Sequence, residues 1–280
     1  MHPYVSPQFA DLDEKARELA PKYRTAEPFP HVVIDGFFED AGLDAALAEF
    51  PDLSARESIR FESPKEIKLA SSGDAQLTPN VRGLLRALNA EPFLKFLQQL
   101  TGIEETLLPD PYFYGGGMHQ IKRGGLLKVH ADFAKHEVTG LDRRVNVLIY
   151  LNKDWDEAFG GCLELWDRKM QSSEQRIHPL FNRMVVFSTT PTAFHGHPDA
   201  LACPPERSRK SLALYYYTNG RPAAEVVSDK PHSTRFQVRK GDAEDLRAVY
   251  GNRGWLSRTA HRWLPPAALS ALRKLVSRGR

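Results

Sequence analysis

The run Val145-Asn146-Val147-Leu148-Ile149-Tyr150-Leu151 leads through Asn152-Lys153-Asp154-Trp155 and the turn Gly160-Gly161 into Cys162-Leu163-Glu164-Leu165-Trp166. Its first part is almost continuously apolar and rich in β-branched residues, which predicts a strand buried on both faces. Its last part alternates, as a half-buried strand does. No helical period lies between them. Outward from this centre, residues 126–130, 183–188, 193–197 and 211–217 also read as strands. Residues 111–120 are aromatic and then glycine-rich, through Gly115, Gly116 and Gly117. No helix start and no Lys-Ser/Thr follows these glycines, so they read as a bulge or a close backbone approach, not a phosphate loop. Short antiparallel strands without intervening helices predict a sandwich or jelly roll.

The segment before residue 110 has a different period. Phe9, Leu12, Ala16, Leu19 and Ala20 predict a helix within 8–23, and residues 29–38 read as a strand entering a turn. Asp40 is placed to cap a helix over 41–50. Thr78-Pro79 and Glu91-Pro92 each open a helix, Pro suiting the first turn, and Gly102 ends the second. Residues 51–77 show no clear period and are expected to be a long loop with at most one short strand. The expected divisions are therefore 1–109, helical support with a first strand; 110–220, the β core; and 221–280, a basic and helical extension.

With 280 residues the chain can bury a substantial core, and its net charge of +3 is too small to imply a nucleic-acid partner. The charge is uneven: residues 221–280 hold 13 Lys/Arg against 5 Asp/Glu. Within them, 265–278 has the pattern of an amphipathic helix. Docking on the barrel with a solvated basic rim is the expectation, and contact with an anionic membrane or protein partner is the alternative. The two cysteines, Cys162 and Cys203, suit a reducing compartment better than a disulfide framework. No signal peptide and no apolar stretch of about 20 residues is seen, so the expected location is cytoplasmic.

Chemistry enters with Lys128-Val129-His130-Ala131-Asp132 and Phe194-His195-Gly196-His197-Pro198. Residues two apart at a strand end point the same way, so His130 and Asp132 can reach one ion while Ala131 faces away. A third ligand must come from a neighbouring strand, and His195 and His197 share the face that would supply it. Two imidazoles and one carboxylate on one side of a metal, with the other side open, form the facial triad of non-haem Fe(II) oxygenases.

The Tyr150-Leu151-Asn152-Lys153-Asp154-Trp155 run, Gly160-Gly161, the His-x-Asp before it and the His-Gly after it together resemble the prolyl-hydroxylase-like branch of the Fe(II)/2-oxoglutarate dioxygenases. The resemblance covers residues 110–218. It implies a double-stranded β-helix of the jelly-roll type, with Fe(II) held by His130, Asp132 and His195. It selects His195 over His197, which is left to support a ligand or line a pocket. It also implies that Arg209, assisted by Ser211, binds the distal carboxylate of 2-oxoglutarate, and that the Tyr150 hydroxyl contacts the same group. A dicarboxylate end favours a planar, always-charged guanidinium. Arg207 and Lys210 are rivals in the same run, but alternation turns Lys210 away from the face shared by Arg209 and Ser211. His136 and Asn146 are further polar candidates, expected to be structural.

The implied reaction consumes O2 and 2-oxoglutarate, releases succinate and CO2, and hydroxylates an unactivated C–H bond of a peptidyl or small-molecule substrate. Ascorbate is implied as an iron reductant. Halogenating relatives carry a small residue where this chain has Asp132, so hydroxylation is expected. Two other readings stay open on residues alone: a cupin-like metal-binding or sensor protein without catalysis, and a Zn²⁺ hydrolase. Neither needs Arg209, Ser211 and Tyr150.

Overall fold

The computed structural model describes residues 4–226, 233–239 and 242. Met1–Gln237 form one compact unit, which holds all the strands and helices described here. The expected basic helix over 265–278 lies outside the described residues.

Four helices precede most of the sheet: α1 (Leu12–Arg24), α2 (Asp40–Ala48), α3 (Pro79–Leu88) and α4 (Glu91–Thr101). The last two begin at the predicted Pro-containing turns, and α4 ends on Gly102 in the left-handed region at φ +76°. Asp40 does not cap α2: it is the first helical residue, and its carboxylate accepts instead from Asn182 Nδ2 at 2.6 Å.

Among the described residues, thirteen strands follow one another as β1 (His31–Asp35), β2 (Ile59–Ser63), β3 (Glu66–Ala70), β4 (Leu108–Pro109), β5 (Gly117–Lys122), β6 (Leu126–Ala131), β7 (Asp142–Tyr150), β8 (Leu163–Trp166), β9 (Ser173–Ile177), β10 (Arg183–Ser188), β11 (His195–His197), β12 (Ser208–Thr218) and β13 (Arg235–Phe236). Every pairing is antiparallel. The order β1-β10-β7-β12-β5-β3-β6-β11-β8-β9 curls the sheet into a near-closed barrel of the jelly-roll type. Residues 51–77, read as loop, contain the β2–β3 hairpin, and β3 joins β5 to β6. The alternation Ile59, Phe61, Ile67, Leu69 was present in the sequence, but both Ile59 and Ile67 remain more than a third exposed, so burial does not drive it. The strand at 173–177, also missed, carries mostly polar residues on the barrel's outer side.

Alternation along β7 explains the continuous apolarity. Val145, Val147 and Ile149 face the helices and pack with Phe93, Phe96, Leu97 and Phe37 in one large core. Tyr150, on the opposite face, packs inside the barrel with Leu163, Leu165, Val185 and Phe187. The helices therefore close one side of a sheet whose other side lines the barrel interior, where the polar side chains of the site converge.

Candidate metal and co-substrate site

β11 lies between β6 and β8, with His195 opposite His130. Gly196 permits this: a Cβ there would stand 2.7 Å from the Leu127 carbonyl oxygen and 3.0 Å from that of Lys128. Strand pairing thus supplies the third ligand, the second imidazole, that sequence spacing could only postulate. His130 Nε2 lies 3.6 Å and His195 Nε2 3.5 Å from the Asp132 carboxylate, and the two rings are 4.5 Å apart. Among the described residues, these three are the only His/Cys/Asp/Glu group whose ligand atoms converge, all within 4.8 Å of one another. All three are buried.

The same local device fixes both imidazoles. His130 Nδ1–H donates to the Lys128 carbonyl at 2.9 Å, and His195 Nδ1–H to the Ala193 carbonyl at 2.9 Å. Each bond uses a carbonyl two residues back, and each leaves the Nε2 lone pair aimed at the centre. Burial, together with the neighbouring His130, lowers the His195 pKa to about 4, so the ring is a neutral donor near pH 7.

Asp132 is held from behind. Its Oδ2 accepts from Asn146 Nδ2 at 2.7 Å and lies 3.1 Å from Arg143 Nη2. Asn146 Oδ1 in turn accepts from Arg143 Nε at 2.9 Å and from Thr189 Oγ1 at 3.2 Å. The Arg143 guanidinium lies on the Tyr215 ring, 3.5 Å from its centroid, and 4.3 Å from that of Phe133. Burial alone would raise the Asp132 carboxyl, but Arg143, His195 and His130 hold it well below the usual carboxylate range. Asn146, expected to be an ordinary structural residue, instead holds the carboxylate of the candidate ligand. Arg143 and Thr189 were missed. A buried-looking strand that opens on Arg143-Arg144 was the available signal, because a buried guanidinium needs partners.

The second group lies across the barrel on β12. Arg209 is 4% exposed; its Nε donates to the Gly161 carbonyl at 2.8 Å and its Nη2 to the Tyr150 hydroxyl at 3.2 Å. Gly161 adopts φ +78°, and a Cβ there would stand 2.6 Å from Leu201 Cδ2 and 3.0 Å from Arg209 Cδ. The second glycine of the turn thus makes room for the arginine and also supplies its anchor. Ser211, on the same face, is buried and pairs with Tyr150 on β7. The rivals point elsewhere: Lys210 Nζ lies over the Phe50 ring, and Arg207 donates to the Lys153 carbonyl beside Trp155. Burial raises the Tyr150 phenol against the opposing pull of Arg209, so it stays protonated.

A cavity of about 430 Å³ opens onto His130 and Asp132, with Arg143, Tyr215, Phe133 and Lys68 among its walls. Its rim includes the exposed Ile59, Tyr112 and Tyr114. A larger hollow of about 560 Å³ borders Arg144, whose guanidinium is already paired with Glu105 and Glu225. It holds no converging ligand set. His136 is not part of the site: its Nδ1 accepts from the Val138 and Thr139 amides, and its Nε2 lies 3.6 Å from Asp110.

Residues 116–217 match the model of the 2OG-Fe(II) oxygenase superfamily. The chain is 26% identical over 200 residues to the prolyl 3-hydroxylase OGFOD1 of Mus musculus, an alignment covering 68% of this chain and 33% of that protein. It thus spans about a third of the length of this curated relative. Among solved structures, it is similar to a prolyl-4-hydroxylase of Pseudomonas putida (TM-score 0.51, 17% identity, 73% of this chain and 100% of that one). A prolyl hydroxylase of Trichoplax adhaerens, in complex with a hypoxia inducible factor peptide fragment, gives a TM-score of 0.55 at 14% identity, covering 75% of this chain and 92% of that one. At these identities the structural likeness speaks for the fold.

Proposed function

We propose that this protein is an Fe(II)- and 2-oxoglutarate-dependent dioxygenase that hydroxylates an unactivated C–H bond and releases succinate and CO2. The observation that carries this reading is the pairing of two sites in one barrel. One is a buried His130–Asp132–His195 set with both Nε2 atoms turned toward the carboxylate. The other is a buried Arg209 with no carboxylate partner among the described residues. A sensor or a Zn²⁺ hydrolase needs the first and has no use for the second.

The donor set fits the cofactors. Two imidazoles and a carboxylate suit Fe(II), and a guanidinium anchored by a carbonyl and a phenol keeps its charge for an anionic end of 2-oxoglutarate. When bound, iron and 2-oxoglutarate supply the oxidising chemistry with O2. His130, Asp132 and His195 would hold the metal on one face only. Arg143 and Asn146 orient the Asp132 carboxylate. Arg209, Tyr150 and Ser211 would fix the distal carboxylate, and the inner core around Leu163, Leu165 and Phe187 keeps bulk water from that end. Retention of a carboxylate at 132 supports hydroxylation.

A prolyl side chain in a peptide is the substrate class we favour. Support comes from the prolyl hydroxylases similar to this chain and from the open, aromatic-rimmed cavity beside His130. A free small molecule is the alternative. Ascorbate as reductant and a cytoplasmic location belong to the same proposal; the free, buried Cys162 and Cys203 suit that compartment.

The test is anaerobic. Fe(II) followed by 2-oxoglutarate is expected to give a visible metal-to-ligand charge-transfer band, which His195→Ala abolishes. Succinate release can then screen prolyl peptides against free small molecules. Bound Fe(II) with no band on adding 2-oxoglutarate would sink the dioxygenase reading.

A further inference from the structure

Six buried side-chain polar atoms lack a hydrogen-bond partner among the described residues, and His197 alone contributes two of them, Nδ1 and Nε2. The ring is 3% exposed. A buried imidazole always carries at least one N–H donor, and leaving it unpaired is costly. The other two histidines of β6 and β11 each satisfy Nδ1 with a carbonyl two residues back; His197 makes no such bond. It does not join the converging metal-ligand set either.

Its position is well defined. His197 is two residues from His195 on a three-residue strand and so shares the inward face. It pairs with Leu127 of β6, and the close packing of Gly196 on the Leu127 and Lys128 carbonyls fixes how far the strand stands from its neighbour. The ionisable groups that act on it most are Arg209, Lys68 and His130, all of them basic, with no carboxylate among them. An unpaired donor thus faces the same interior as Arg209, and that guanidinium has already given Nε to Gly161 and an Nη2 hydrogen to Tyr150.

We propose that His197 is a co-substrate-binding residue, whose ring N–H donates to the dicarboxylate anchored by Arg209. This rests on the reading of the barrel as a 2-oxoglutarate site. It gives this chain one more directional donor than the Arg209–Ser211–Tyr150 set.

The test uses the full chain loaded with Fe(II) under anaerobic conditions. 2-Oxoglutarate is titrated while the charge-transfer band is read, and metal affinity is measured separately by Co(II) absorption. Losing one hydrogen bond to a charged group corresponds to about a tenfold or greater loss of affinity. His197→Val is therefore expected to weaken 2-oxoglutarate binding by about tenfold or more, with Co(II) affinity within about twofold of wild type. His197→Asn, which keeps an N–H donor, is expected to recover most of the loss. Should the valine variant not fold, His197→Asn is compared with His197→Asp, whose carboxylate repels the dianion; equal affinities overturn the proposal. It is also overturned if His197→Val binds 2-oxoglutarate as wild type does, the ring then being satisfied by buried water. A parallel loss of Co(II) and 2-oxoglutarate affinity overturns it too, by placing His197 in the metal centre. Wild-type protein that binds Fe(II) but gives no 2-oxoglutarate band overturns both this inference and the dioxygenase reading. The wild-type titration separates that outcome from a failure of His197 alone.

Discussion

The polar groups around Asp132 and those around Arg209 are finished to different degrees. Around Asp132 the polar atoms not aimed at the centre are already engaged: two imidazole Nδ1–H groups on carbonyls, one carboxylate oxygen on Asn146 and Arg143, and Asn146 on Thr189. Around Arg209 the groups are oriented but not saturated. The guanidinium has a carbonyl and a phenol but no counter-charge among the described residues, and His197 has no partner. The first set is built to present a fixed geometry to a small ion. On the proposed reading, the second would be completed by something anionic. Pre-organisation of this kind limits what must be ordered at the moment of binding.

Variants can break this contrast. The largest effect is expected for Asp132→Ala, which removes a candidate ligand and leaves Arg143 buried without its anion. Fe(II) affinity should fall by more than about a hundredfold, since even loss of an outer partner of a ligand costs roughly 10–100-fold. Calorimetric titration with Fe(II) or Co(II) reads this directly, and retained affinity would remove Asp132 from the centre. Next comes Arg209→Ala. Truncating one partner of a buried charge pair costs about 2–5 kcal/mol, so 2-oxoglutarate affinity should drop by roughly a hundredfold or more while metal affinity stays put. Arg209→Lys should recover only part, because an ammonium cannot reproduce the fork held by Gly161 and Tyr150. Equal loss of metal and 2-oxoglutarate binding would show that the two sets are not separable.

Arg143→Met sharpens the comparison from the other side. It should weaken Fe(II) binding by roughly 10–100-fold and leave the affinity of metal-saturated protein for 2-oxoglutarate unchanged. An unchanged metal affinity would mean that Asn146 alone holds the carboxylate. The smallest effect is expected away from both sets, at Asp52, whose pKa is lowered to about 2, first by its hydrogen bond from Lys122. A carboxyl depressed in the folded state stabilises above its unfolded pKa, near 4, and that contribution is lost as pH falls from about 4 toward 2. The pair is roughly half exposed, so Asp52→Asn should cost no more than about 0.5 kcal/mol at pH 7 and less near pH 2. Thermal melts at the two pH values check the sign, and neither ligand affinity should move.

What was legible in the sequence followed from local rules. The two-residue period put His130 with Asp132, and Arg209 with Ser211, before any fold was known. The double-faced strand at 145–151 predicted a layer on each side, and both are present. What was illegible depended on strand neighbours. Arg143 and Asn146 reach Asp132 only because β7 crosses the barrel beside β10, whose following residue Thr189 completes the chain of bonds. The β2–β3 hairpin escaped notice because its alternating residues bury little, yet it carries Lys68 into the cavity wall and bridges β5 to β6. His197 looked like a decoy for His195. Its orphaned ring could be recognised only once every nearby donor and acceptor had a position.

The carbonyl of Gly161 has a kinetic consequence. Had an aspartate oriented Arg209, the pair would be electrically neutral from a distance. Orientation by a peptide dipole and a phenol leaves a full positive charge at the base of a low-dielectric barrel, and Lys68 in the cavity wall adds to it. On the proposed reading, such a field would raise the encounter rate of a small dianion, the more so as ionic strength falls. The glycine turn therefore bears on how fast the barrel fills as well as on how tightly.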